Sequence, residues 1–144
     1  MSRFRPGHAA AALAVASAAV LAFACKSSPT SSNCNGNGGV APSLVGSWSL
    51  VSITLGTNTF TYPTASGTLT FTATRYDASV NLPGPVTQVD SGTYKVVGSS
   101  CIAEYTEVAG NPQFSGSFTL ADSVLSVSGT AGGQVVANVW HQVP

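Results

Sequence analysis

The sequence predicts an all-β fold, an eight-stranded antiparallel up-and-down β-barrel over residues 43–144. Three observations predict it. Beyond Pro42, apolar residues recur with period 2, as on half-buried strands, and nowhere with the period of a helix. Turn formers interrupt the alternation about every 8–12 residues, the rhythm of a sandwich or barrel. The turns are short, so each strand pairs with the next, and closing the set leaves no bare edge. A two-sheet sandwich of the same strand count is the alternative. A membrane-spanning barrel would need strands of about 9–11 residues flanked by aromatic girdles. Most strands here are shorter.

Residues 48–55 form the first strand, with Trp48 and Leu50 on one face and Val51, Ile53 and Leu55 on the other. Gly56, Thr57 and Asn58 turn the chain. Residues 60–62 are a short strand or a loop before Pro63. In 68–74, Leu69, Phe71 and Ala73 point inward and four threonines point outward, where β-branched hydroxyl side chains suit a pleated wet face. Residues 76–82 form a strand that Pro83, Gly84 and Pro85 terminate. The remaining strands are 92–97, 101–108, 114–120, 124–128 and 134–143. Residues 43–46 have room for a single turn of helix.

A different composition precedes the barrel. Arg3 and Arg5 head an almost unbroken apolar run over 9–24, 16 residues long. That falls short of the roughly 20 needed to cross a bilayer and matches the layout of a secretory signal. The two arginines are not adjacent, so the twin-arginine form is absent. Residues 26–42 are mainly Ser, Asn, Gly, Pro and Thr; nothing there offsets the entropy of ordering, so they read as a tether. The organisation is therefore signal (1–24), Cys25 with tether (25–42), and barrel domain (43–144). Without residues 1–24, Lys26, Arg75 and Lys95 stand against Asp77, Asp90, Glu104, Glu107 and Asp122, a net charge of −2. Cations so few and scattered cannot hold a phosphate backbone, so nucleic acid is excluded as a partner.

The stretch Leu21-Ala22-Phe23-Ala24-Cys25 resembles the lipobox of bacterial lipoproteins, although the leucine stands one position earlier than the family usually has it. The resemblance implies cleavage before Cys25, a diacylglyceryl thioether on its sulfur, and the lipid bilayer as a partner. Several acyl chains anchor stably where one does not. Lys26, where an aspartate favours inner-membrane retention, implies the outer membrane of a Gram-negative envelope, facing the periplasm or the surface.

Gly46-Ser47-Trp48 has the Gly-x-Trp form of the lipocalins, and 44–50 resembles the opening of bacterial lipocalin-like domains. Three later stretches fit the same order. They are Gly67, Leu69, Phe71 and Tyr76; then Ser91-Gly92-Thr93-Tyr94; then Leu125 to Gly129 ahead of Trp140. The likeness covers 44–143. It implies a tight turn at Gly46 and Trp48 beneath the closed end of the barrel. Classical lipocalins often set an arginine over that tryptophan. The last strand here offers Gln134, Asn138, His141 and Gln142 instead.

Catalytic signals are missing, and the chain reads as a non-enzyme. Glu104 and Glu107 are the only close carboxylates; three apart on a strand, they face opposite sides and cannot form a glycosidase dyad. His141 has no signalled nucleophile, and two cysteines with one histidine do not make a metal site. No cofactor is implied. With Cys25 lipidated, Cys34 and Cys101 are an even pair in an exported protein, which suggests a disulfide. Closing that 67-residue loop is worth roughly 4 kcal/mol in the chain-entropy model. Two functions stay open. Leu69, Phe71, Tyr94, Phe118 and Trp140 can line a cavity for a small hydrophobic ligand. Alternatively, they fill the barrel, and the domain is a structural or protein-interaction module of the envelope.

Overall fold

A computed structural model describes residues 39–144. The signal, Cys25, Cys34 and most of the tether lie outside the described residues. Nine strands follow in order: β1 Gly46–Leu55, β2 Asn58–Thr61, β3 Ser66–Phe71, β4 Arg75–Leu82, β5 Val86–Val97, β6 Cys101–Thr106, β7 Phe114–Ala121, β8 Val124–Ala131 and β9 Gln134–Val143. Strands β3 to β9 pair antiparallel, each with the next, and β9 returns to pair with β1 from Ser47↔Val143 to Leu55↔Val136. Strands β2 and β3 share the other edge of β1, through Ser52↔Thr61 and Ser49↔Thr68. Together they make one stave, so the nine strands form a closed eight-stave barrel of up-and-down order. This is the predicted fold. No helix occurs among the described residues, including 43–46.

Two details of side-chain direction differ from the prediction. The pairing of β1 with β9 slips between Leu50 and Ser52, a β-bulge. One extra residue reverses the parity of the rest of the strand. Ile53 therefore joins Trp48 and Leu50 in the core, and Val51 is left in solvent. Ala73 is exposed rather than inward, because β3 stops at Phe71 and Thr72 N–H donates to Arg75 O to turn into β4.

Alternation places one residue in two inside. Leu69 and Phe71 of β3, Tyr76 and Val80 of β4, Ile102 of β6, Phe114 and Phe118 of β7, Leu125 and Val127 of β8 and Trp140 of β9 are all buried in one cluster. In the β7–β8 seam, Gly116 and Gly129 are directly paired. A Cβ on Gly129 would stand 2.1 Å from Ser115 O and 2.8 Å from Phe114 Cζ. Only glycine lets the backbones come so close.

Candidate functional site in the barrel interior

The interior has two parts. The end where the chain enters β1 is apolar and filled. Trp48 is 1% exposed, and its Nε1–H donates to Leu44 O at 3.1 Å, drawing the buried Leu44 over the barrel end. Gly46 has φ +148°, outside the range other residues favour, and Gln142 lies beside it, directly opposite Trp48 in register. Leu69, Phe71, Phe118 and Trp140 are buried together, with Tyr94 packed against them. The rings of Phe71 and Tyr94 meet edge to face at 4.7 Å, and Tyr94 O–H donates to Thr72 O at 2.8 Å. The five residues expected around a cavity are thus brought together, and they pack on one another.

Two hollows lie elsewhere. One of about 300 Å³ is bordered by Thr68, Thr70, Asp77, Ser79 and Val89. Another, of about 230 Å³, is bordered by Ser117, Thr119, Ser126, Ser128 and Val139. Both are shallow and lie on the outer wall, over residues of outward parity.

Beyond the apolar part, the interior turns polar. Asp90 pairs with Ala78 in register and so faces inward, as Tyr76 does. Tyr76 O–H donates to Asp90 Oδ2 at 2.9 Å, and Thr106 O–H donates to Oδ1. Oδ1 also accepts Ser91 N–H at 3.0 Å and Asn111 Nδ2–H at 3.1 Å. Burial, then the Asp90 carboxylate, pushes the Tyr76 hydroxyl far above its ordinary range.

Glu104 stands on the same wall, between Tyr94 and Phe114 in register. Burial pushes its carboxyl up to about 7, and the Asp90 charge adds to the shift. Barrel atoms crowd the carboxyl although some solvent reaches the residue, and it forms no hydrogen bond among the described residues. Asn138, between Ile53 and Val127, also faces inward, and its buried Oδ1 has no hydrogen-bond partner among the described residues. Glu107 points out, as parity required, and pairs with Arg75 at 3.0 and 2.8 Å, which holds its carboxyl below the ordinary range.

Parity alone could have located the polar part. Asp90 shares the face of Gly92, Tyr94 and Val96, and Glu104 and Thr106 share that of Ile102. His141 is exposed, its Nδ1 2.9 Å from Gln142 O. Cys101 is buried at the start of β6. Among the described residues no group of three or more His, Cys, Asp or Glu could hold a metal ion.

The raised Glu104 carboxyl predicts a pH dependence. Between the ordinary 4.5 and about 7, the folded chain keeps a proton that the unfolded chain has lost. Stability from this group is therefore complete below about 4.5 and falls as pH rises through 7, by up to about 3 kcal/mol. Glu104→Gln should remove that slope and be the more stable protein at pH 8, measured by urea unfolding at about pH 4.5 and pH 8. Identical slopes in the two proteins would contradict the assignment.

No protein-family model matches the chain, and no curated protein or solved structure matches it, so the residues described above are the whole basis for a functional reading.

Proposed function

We propose that the chain is an envelope lipoprotein, anchored through acylated Cys25, whose lipocalin-like barrel takes a small amphipathic ligand without chemically changing it. One observation carries the ligand: Asn138 faces the barrel interior with a buried oxygen that has no partner among the described residues, and the Glu104 carboxyl, facing the same interior, forms no hydrogen bond among them. Buried polar groups are almost always partnered, and exceptions call for a reason. A ligand with one polar group and an apolar body would supply the missing hydrogen bonds and rest on the aromatic part. The envelope location rests on the signal, the lipobox and the tether. A Cys34–Cys101 disulfide belongs to the same proposal. Up-and-down order puts the first residue of β6 at the barrel end where the chain enters β1, within reach of a tether.

A second reading, a module without a ligand, is favoured by the packing of Leu69, Phe71, Phe118 and Trp140. Native mass spectrometry of protein gently extracted from its own cell separates the two. The carrier reading expects a bound small molecule, and saturable uptake of fatty acids or other apolar compounds once it is stripped. No bound species and no saturable titration would leave the module. The same sample, digested without reduction, tests the anchor and the bond. A mature N-terminus at Cys25 carrying acyl mass, and a peptide linking Cys34 to Cys101, are expected. An unmodified Cys25 would remove the lipoprotein reading.

A further inference from the structure

Strand β5 is longer than the strand meant to cover it. Its register with β4 runs from Val86 to Thr93, whereas its register with β6 starts only at Gly92↔Thr106. Residues 86–91 therefore have no strand on their β6 side, and the barrel wall is not closed there by a ladder.

The β6–β7 connection, residues 107–113, covers the Val89–Ser91 part of that edge. Glu107 N–H donates to Ser91 O at 2.8 Å. The Asn111 amide donates to Val89 O at 3.0 Å and to Asp90 Oδ1 at 3.1 Å. Val108 N–H donates at 3.1 Å to Thr106 Oγ1, which itself binds Asp90. The far end of the segment rests on the β8–β9 turn, where a Cβ on Gly132 would come 3.0 Å from Pro112 Cβ.

These are hydrogen bonds and one surface ion pair, with little apolar burial beneath them. Only Val108 and Asn111 of the segment are half-buried; the rest is exposed. Segments held in this way open at much lower free energy than the barrel they cover. Gly110, with φ +87° and nothing within 4 Å of where a Cβ would stand, offers a pivot.

We propose that residues 107–113 are a strap that swings out at Gly110 and opens the barrel wall beside Asp90 and Glu104, with Asn111 as its latch. Asp90 links the two sides. One carboxylate oxygen holds Tyr76 of the wall, and the other holds Asn111 of the strap. Opening exposes the polar part of the interior and leaves the Trp48 end packed. The strap's use as a door rests on the ligand reading, whereas its movement does not.

The test uses the mature, disulfide-intact chain and its Asn111→Ala variant, with two measurements that need no ligand. The first is hydrogen–deuterium exchange of amides 107–113. The second is carbodiimide coupling of a small amine to Glu104, read by peptide mass against the exposed Glu107. Loss of the latch should raise both about tenfold, the scale of one hydrogen bond to a charged group, with β7 and β8 exchange and Glu107 coupling unchanged. Glu107→Gln, which loosens the strap without touching Asp90, should raise strap exchange by a smaller factor. Rates within twofold of the parent, or a rise spread equally over β7 and β8, would overturn the strap. A fluorescent fatty acid then separates the two claims. If the strap opens and no probe binds either protein, the ligand reading fails alone. If the probe binds both at one on-rate, the strap is not the way in.

Discussion

Gly129→Ala is expected to destabilise the protein by roughly 3 kcal/mol, the upper part of the range for overpacking a close-packed interior. The added methyl has no free direction. It meets the Ser115 carbonyl at 2.1 Å, the Gly116 Cα at 2.6 Å and the Phe114 ring at 2.8 Å. Two of those three atoms are backbone, which cannot rotate aside. Relief would require the β7–β8 seam to spread, and that seam is one link of a closed ring, so β6 and β9 would have to move with it. Urea unfolding should show a lower midpoint with an unchanged slope, the sign of lost stability rather than altered compactness. Gly84→Ala is the comparison: at φ +85° it carries backbone strain, about 1 kcal/mol, but the new methyl meets nothing within 4 Å, so it shows strain without overpacking. A loss at Gly129 no larger than at Gly84 would show that the seam yields more easily than its geometry implies.

Trp48→Ala should cost a similar or larger amount, about 3–5 kcal/mol, as for other large-to-small aromatic changes in a core. Trp48 is 1% exposed, and Leu44, Leu50, Leu69 and Trp140 belong to the same buried cluster. Alanine would leave a void at the barrel end and free Leu44, whose carbonyl is held by the indole N–H. Trp48→Phe separates the two effects. It keeps most of the volume, removes the hydrogen bond and leaves a small gap, for about 1–2 kcal/mol. Amide exchange at 44–46 should then rise in both variants, with global unfolding shifted far more in the alanine protein. Equal stability of the alanine variant and the parent would mean that Trp48 does not plug the barrel.

Most of this architecture was legible before any coordinates, because a half-buried strand writes its inside and outside into every second residue. Leu69 and Phe71, Phe118 and Leu120, and Val139 and Trp140 could be sorted that way. The exceptions have local causes. The β1 bulge adds one residue and inverts parity after Leu50, and no feature of Val51 or Ser52 announces it. The break between β2 and β3 hides that two short pieces make one stave. The polar interior was readable in principle, since Asp90 and Glu104 have inward parity. A carboxylate is ordinarily assigned to solvent on prior expectation, and that expectation outweighs parity until pairing with Ala78 and Tyr94 is seen. The strap was not readable at all. It exists because β5 outlasts β6, and relative strand length is a property of two segments that the sequence specifies only through their ends.

The seam between β1 and β9 has a further consequence for assembly. Every other seam joins staves that follow one another along the chain, so those pairings can form from local contacts. This one must bring Ser47 to Val143, and it forms only after that long loop is closed. Until then the same residues make an open sheet with two bare borders, one offering β1 and the other β9. An open border is a template for any other extended chain. The seam that joins those two borders in the native domain therefore makes the last step of folding the one most vulnerable to the wrong partner.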